Sequence, residues 1–191
     1  MQTNVVAARR RRAAAAARWR PSTVRLLLVD EAPPSALDRY FYFEDVTTHD
    51  SLFRYVAAGV LGETPTRDKA PYLEELRQRG VFLLDLCADP FSDRREAIPA
   101  AVPSLLDRVR RIAPEHVVLI GAAVYDAAFE PMRRAGLPVV DVRLPYPGSG
   151  QQHRFAMHFT EALRLAGLSP APTKSRRTTT SGAPPCSLAD R

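Results

Sequence analysis

The stretch VRLLLVDEAPPSALDRYFYF, residues 24–43, decides how the fold is interpreted. An apolar run at 24–29 stops at two carboxylates, Asp30 and Glu31, and two prolines follow directly. Four consecutive aromatic residues come soon afterwards, at 40–43. Proline cannot continue a central strand, so the run is predicted to end at the carboxylates. A buried strand that delivers acidic and aromatic side chains at its carboxyl end predicts a ligand site at that edge of a sheet.

Three more apolar runs have the same character, and they alternate with amphipathic segments. The runs are VFLLDLC (81–87), HVVLIG (116–121) and PVVDVRL (138–144). The intervening segments carry apolar residues at helical spacing, as at 102–112, and several end at a glycine such as Gly80 or Gly136. Strands that are apolar throughout and alternate with helices are typical of parallel sheets covered on both faces. The sequence therefore predicts a three-layer α/β/α domain around a central, mostly parallel four-stranded sheet.

The positive charge of the chain lies at its two ends. The net charge is +6 over 191 residues. Residues 1–23 hold six Arg and no acid, and residues 169–191 hold four basic residues and one acid, whereas 24–168 holds 17 basic and 20 acidic residues. We therefore expect a basic arm at 1–23 that is disordered or partly helical, an α/β domain at 24–168 and a disordered tail at 169–191. DNA or single-stranded nucleic acid would be attracted mainly by these tails.

Composition argues against several other classes of protein. No apolar run approaches the roughly 20 residues needed to span a bilayer, so no membrane partner is expected. The two cysteines, Cys87 and Cys186, and the four histidines lack the spacing of a disulfide framework or a metal site. We expect a monomer without metal or cofactor. The N-terminus lacks a secretory pattern, which favours the cytoplasm of a bacterium, although its Arg-rich, acid-free composition also suits a transit peptide in a eukaryote.

Side chains that follow parallel strands meet at one edge of the sheet. Glu31 and Ala32 follow the first strand, Asp85 lies in the second, and the Pro/Gly-rich segment LPYPGSGQQHRF (144–155) follows the fourth. An unpaired carboxylate among apolar residues is costly, so Asp85 needs a partner or a task. Structural alternatives stay open: a strand-end carboxylate could only be solvated, and most aromatics of 40–43 could belong to the core.

This ordered set of motifs resembles the uracil-DNA glycosylase superfamily. Its members have a strand ending in a motif such as G-Q-D-P-Y or G-E-A-P-G, an aromatic that stacks on the base, a strand ending in Asn, and an H-P-S loop before a helix. The corresponding segments here are DEAPP (30–34), the aromatics 40–43, FLLD (82–85), LIGAAVYDAAF (119–129) and LPYPGSG (144–150). The resemblance covers about residues 24–166.

The chain departs from the superfamily at positions that bear on chemistry. Asp30 replaces the opening Gly, Asp85 the base-reading Asn and Leu144 the loop His, and the cysteines of the iron–sulfur branch are missing. An ionised Asp only accepts hydrogen bonds, so Asp85 would repel O4 of uracil and would suit an edge rich in donors. Leu144 cannot stabilise charge on a departing base; His153 or backbone N–H groups of 148–151 could compensate in part.

The resemblance implies a protein that excises or binds a damaged or flipped base in DNA. Glu31 would be catalytic, by orienting water or stabilising a cationic sugar. The residues expected to contact the substrate are Ala32, Phe41, Tyr42, Asp85, Tyr146, Gly148, Ser149 and His153. Two alternatives remain open, because a fold does not fix a function: a non-catalytic nucleic-acid or protein interaction module on the same fold, and an α/β enzyme acting on a small anionic metabolite.

Overall fold

The computed structural model describes residues 2–36, 38–44, 50–90, 93–148 and 150–168. Within these ranges six helices accompany an open sheet of three parallel strands. In chain order the elements are α1 Gln2–Arg18, β1 Leu26–Asp30, α2 Ser51–Leu61, α3 Ala70–Gln78, β2 Val81–Asp85, α4 Arg94–Ile112, β3 His116–Leu119, α5 Ala122–Arg134 and α6 Gln152–Leu165. Ser149 and the expected disordered tail at 169–191 lie outside the described residues.

The central position of β1 in the sheet explains why residues 26–29 are all apolar. The strand order is β2-β1-β3, and every residue of β1 is buried. Helix α2 contacts both α3 and α6 in one group and α4 contacts α5 in another, which fits a three-layer α/β/α arrangement. The parallel register pairs Leu26 with Val81 and Asp30 with Asp85. Because β1 and β2 end in register, their two terminal carboxylates lie side by side.

The prediction of a fourth regular strand at 138–144 is wrong for the described sheet. This segment touches β3 only through isolated parallel bridges, Val117 with Val139 and Ile120 with Leu144. Between those bridges it contains two more residues than β3 does, so the ladder cannot continue. The extra length carries polar side chains to α5, where Asp141 accepts a hydrogen bond from Tyr125 and Arg143 pairs with Asp126 at 2.7 Å.

Helix boundaries agree with the sequence at α2 and differ at α4. The Asp50 carboxylate caps α2 by accepting from the Phe53 N–H at 3.0 Å, as its position before the apolar segment predicts. Helix α4 begins at Arg94, well before the periodic segment 102–112. The Asp93 carboxylate caps it by accepting from the N–H groups of the first turn. This cap starts the helix early even though Pro99 lies within it.

The N-terminal arm, which was expected to be disordered or partly helical, contains helix α1, and α1 packs on the domain. Arg12 of α1 is buried, and its Nη2 donates to the carbonyl of Pro34 at 2.9 Å. Hydrophobic periodicity does not reveal this docking, because α1 contacts the domain largely through guanidinium groups. Its other contacts join Arg9 to Asp89, Arg11 to the Phe43 ring and Arg18 to Glu44.

The four aromatics at 40–43 are all buried and belong to the core. Tyr42 has a specific task at the outer edge of β2, which is a terminal strand of the described sheet. Its hydroxyl accepts from the Leu83 N–H at 2.6 Å and donates to the Leu83 carbonyl at 3.0 Å. An unpaired strand edge is a site of aggregation and fraying. Tyr42 therefore completes the backbone hydrogen bonding of β2.

We predict that Tyr42→Phe lowers the free energy of unfolding by on the order of 2 kcal/mol, because it leaves a buried N–H and a buried carbonyl of Leu83 without a partner. Denaturant unfolding followed by circular dichroism measures the loss. Tyr72→Phe is the matched control, since the Tyr72 hydroxyl only accepts from the exposed Thr66 N–H and should cost less than about 0.5 kcal/mol. Equal losses in the two variants would contradict the assignment.

Candidate functional site

A cavity of about 430 Å³ opens beyond the carboxyl ends of β1 and β2. This volume is within the range of small-ligand sites and is large enough for a nucleobase with part of its sugar. Four carboxyl residues line it: Asp30, Glu31, Asp50 and Asp85. Aromatic side chains and two arginines complete the wall. An open α/β sheet places its ligand crevice at this edge, so the cavity lies where the topology favours binding.

Five of the residues expected at the site from the sequence line this one cavity: Glu31, Ala32, Phe41, Asp85 and Tyr146. They come from three segments that are far apart in the chain, and the parallel strands bring them together. Tyr42 instead points to the edge of β2, as described above. Gly148 and His153 do not line the cavity, and the His153 side chain is exposed on the first turn of α6.

Asp30 is a wall residue that was absent from the expected set of site residues. It is 6% exposed, and its register partner across the strand pair is Asp85. Partners in a parallel ladder point to the same face of the sheet and lie about 5 Å apart. Two carboxylates at such a separation cannot both be ionised at low cost. The two consecutive acidic residues at 30–31 were the available signal in the sequence, but they do not reveal the register.

Asp85 has the partners that a buried carboxylate requires. The Tyr40 hydroxyl donates to its Oδ2 at 3.2 Å. Arg108 donates to the Asp85 carbonyl at 2.8 Å, which holds a guanidinium next to the residue. Burial raises the pKa of Asp85 to about 7, while the Tyr40 hydrogen bond and the charges of Arg12 and Arg108 limit the rise. Asp85 is therefore the member of the pair that is stabilised in its ionised form.

The environment of Asp30, in contrast, favours the protonated form of its carboxyl group. Its Oδ1 is buried and has no hydrogen-bond partner in the described structure. Burial raises the pKa of Asp30 well above its usual value, and the neighbouring charge of Asp85 raises it further. Above about pH 7, where Asp85 ionises, the two side chains therefore keep one proton between them, and this proton lies on Asp30. The pair presents a hydrogen-bond donor beside an acceptor at the cavity wall.

Glu31 lies at the junction of β1, α4 and the end of β3. Its carboxylate pairs with Arg94 in the first turn of α4. It also packs against Gly121, where φ is +94° and a Cβ would lie 3.0 Å from the Glu31 Oε1. Only glycine suits this position, because it tolerates both the backbone conformation and the close approach. The Arg94 side chain is half exposed, so its pairing with Glu31 contributes little to stability and can be exchanged.

A buried lysine fixes the far wall of the cavity. The segment 62–70 has the composition of a surface loop, yet Lys69 is only 2% exposed. Its Nζ donates to Asp50 at 3.3 Å and to the Tyr40 carbonyl at 3.0 Å. Burial lowers the pKa of Lys69, and the Asp50 carboxylate opposes that effect. Lys69 thus balances the charge of Asp50 and anchors the backbone of the aromatic segment.

In the loop before α6, two of the backbone N–H groups that were expected to serve as donors already have partners. The Gly148 N–H donates to the Tyr146 carbonyl at 2.8 Å, and the Gln151 N–H donates to the Gly148 carbonyl at 3.0 Å. Both groups are therefore used inside the turn. Leu144 is fully buried in the core and bridges to Ile120. Its side chain packs in the core instead of lining the cavity, so Leu144→His would place an imidazole in the core.

No protein-family model matches the chain, and no curated protein matches it in sequence. The resemblance to the uracil-DNA glycosylase superfamily therefore depends on the ordered motifs alone. In the described part of the chain, no three His, Cys, Asp or Glu side chains are grouped so that they could hold a metal ion. None of the described helices is long and apolar enough to cross a membrane.

We predict that Asp85→Asn changes the dependence of stability on pH. An Asp with a folded-state pKa of about 7 and an unfolded value near 3.9 binds its proton more tightly when folded. Its contribution to the unfolding free energy is therefore fully present below about pH 4 and declines as pH rises to about 7. The Asn variant should gain stability relative to the wild type across this interval, by at most about 4 kcal/mol.

Chemical denaturation at a series of pH values tests this expectation. Asp107→Asn is the control, because the Asp107 side chain is 71% exposed on α4. The control should follow the wild-type curve at every pH. If the unfolding free energies of Asp85→Asn and the wild type stay parallel from pH 4 to pH 8, Asp85 does not have a raised pKa.

Proposed function

We propose that the protein binds a base flipped out of DNA in the cavity beyond β1 and β2 and hydrolyses its N-glycosidic bond, as a divergent uracil-DNA glycosylase-like protein. The observation that carries this proposal is the convergence of Glu31, Asp85, Phe41 and Tyr146 on one cavity. These residues come from four motifs that a glycosylase uses in the same order. Enzymes that act on a base extrude it into such a pocket and read its edge by hydrogen bonds and stacking.

The aromatic residues supply the apolar part of base recognition. Phe41 and Tyr40 line the inner wall, and each exposes only a small part of its surface to the cavity. Tyr146 is 43% exposed, so it is available to contact a base or its sugar on entry. A base stacked on one aromatic ring gains about 1–3 kcal/mol, which offsets part of the cost of unstacking it from DNA.

Glu31 is the group proposed to act on water or on the cationic sugar. Its carboxylate lies at the cavity wall, where its partner Arg94 is itself half exposed. A DNA phosphate is a stronger bidentate partner for a guanidinium than a partly solvated carboxylate is. Binding of the DNA backbone by Arg94, assisted by Arg39 at the same cavity, would release Glu31 for chemistry.

The basic arm contributes to DNA binding as an ordered surface in this proposal. Arg9, Arg12 and Arg18 of α1 already make ion pairs or hydrogen bonds with the domain. Removing residues 1–21 would therefore remove positive charge and also expose the surface under α1. A loss of DNA binding could then come from either change. Replacement of single exposed arginines is the cleaner way to measure the electrostatic share of binding.

One observation favours a second candidate, a protein that binds a flipped base without excising it. Leu144 belongs to the core, and in the loop that follows the N–H groups of Gly148 and Gln151 donate within the loop. The Leu144 side chain and these two N–H groups therefore offer no donor to a departing base. The alternative of a small anionic metabolite is disfavoured, because the whole anion would lie among the four carboxyl residues of the cavity, whereas DNA would bring a neutral base to them and keep its phosphates at the arginines.

We expect the purified full-length protein to release at least one base from oligonucleotides that carry uracil, hypoxanthine, xanthine or related lesions, with slow release of uracil. Alkaline cleavage of the abasic sites measures the product. Glu31→Gln should lower the rate by about 10²-fold or more, because general acid–base groups typically contribute that much. The control Glu115→Gln alters a half-exposed carboxylate just before β3, at the opposite edge of the sheet, and should have no effect.

Two results would contradict parts of this proposal. Rapid release of uracil that is unchanged in Glu31→Gln would show that Glu31 has no part in catalysis. A protein that releases no base and binds lesion-containing and undamaged oligonucleotides equally would exclude both excision and recognition of a flipped base.

A further inference from the structure

Asp30 lines the cavity, and one of its side-chain oxygens has no hydrogen-bond partner. Among the described residues, the buried side-chain atoms without a hydrogen-bond partner are Trp19 Nε1 and Asp30 Oδ1. Asp30 is more than nine-tenths buried and lines the cavity next to Asp85. A buried polar atom without a partner costs about 1–3 kcal/mol, so its retention calls for an explanation. A ligand that reaches this wall would provide the missing partner.

The pairing of β1 with β2 favours the protonated form of Asp30, because it places the Asp85 carboxylate beside it. Its register partner Asp85 is hydrogen-bonded by Tyr40 and faces the cations Arg12 and Arg108. These groups favour negative charge on Asp85 and so leave the shared proton on Asp30. The remaining titratable groups that face the pair are Glu31, Asp50 and Tyr146, and the two carboxylates among them favour a protonated Asp30.

We propose that Asp30 is the catalytic acid of this site: its carboxyl group donates a proton to the departing base, while Asp85 accepts a hydrogen bond from an adjacent N–H of that base. This inference rests on the proposed function. It fills the gap at Leu144, because negative charge that develops on the base needs a donor and the buried Leu144 side chain cannot be one. The loss of such a donor typically costs about 10²–10³ in rate.

The step balances as a hydrolysis. The bond between the sugar C1′ and the base nitrogen breaks, and its electron pair goes to the base. The Asp30 proton moves to a base heteroatom on which the negative charge develops. Water adds its oxygen to C1′ and passes a proton to Glu31, and solvent returns one proton from Glu31 to Asp30. The products are a neutral base and an abasic sugar, and no oxidant or metal is consumed.

The same pair defines the class of base that fits. A neutral acid beside a carboxylate offers one donor and one acceptor side by side, which complements a base edge with an acceptor next to an N–H. Ionised Asp85 alone would repel a carbonyl on that edge, and the proton on Asp30 removes this repulsion. A base that is methylated on the N–H of this edge cannot donate to Asp85 and should be a poor substrate.

Single-turnover excision by the full-length protein tests the proposal, with the lesion oligonucleotide that the wild type cleaves best. Asp30→Ala should lower the rate by about 10²–10³-fold, whereas Asp30→Asn, which keeps a donor but cannot release a proton, should recover about tenfold of that loss. Asp141→Asn, at an exposed carboxylate near α5, is the control. Thermal melts confirm that each variant is folded.

The dependence of the rate on pH separates an acid from a structural residue. The wild-type rate should rise near pH 7 as Asp85 ionises and fall at more alkaline pH as Asp30 loses its proton. In Asp30→Asn the alkaline fall should be missing. A folded Asp30→Ala variant that keeps both the wild-type rate and the wild-type pH curve would overturn the acid assignment while the proposed function stands.

Two further outcomes distinguish failure of this inference from failure of the proposed function. If the wild type prefers lesion-containing DNA but releases no base, Asp30 is not a catalytic acid, while recognition of a flipped base survives. If the wild type shows neither a preference for lesions nor any release, both the inference and the proposed function are overturned.

Discussion

The parallel register between β1 and β2 is the constraint on which the site depends. It ends both strands at the same level and so places Asp30 beside Asp85. The side chains around the pair stabilise a negative charge on Asp85. Tyr40 donates a hydrogen bond to it, and Arg12 and Arg108 bring positive charge near it. A shift of the register by one residue would send one carboxyl group to the other face of the sheet and remove the pair.

This arrangement costs stability, which is common at functional sites. At neutral pH the two buried carboxyl groups keep a proton that the unfolded chain has already released, and this difference lowers the free energy of unfolding. The protein offsets part of the cost with polar contacts that also fix the cavity. Lys69 ties Asp50 to the aromatic segment, and Arg12 joins α1 to the loop at Pro34. The N-terminal helix is therefore part of the support of the site.

The sequence was sufficient for the three strands of the described sheet and for the edge at which the site lies. Apolar runs identify buried parallel strands, and this topology alone brings Glu31, Asp85 and Tyr146 to one cavity. It was insufficient where tertiary polar contacts decide the structure. Arg12 and Lys69 become buried through hydrogen bonds that leave no hydrophobic periodicity. The importance of Asp30 depends on a register that strands without alternation do not reveal.

The central claim is that the two strand-end carboxyl groups still keep one proton between them above about pH 7, after one of them has ionised. Side-chain ¹³C NMR of aspartate-labelled protein, with Asp30→Asn and Asp85→Asn to assign the signals, measures this most directly. We expect one member of the pair to titrate near pH 7 and the other to remain protonated to distinctly higher pH. Titration of both carboxyl groups near pH 4, as in ordinary exposed aspartates, would contradict the claim.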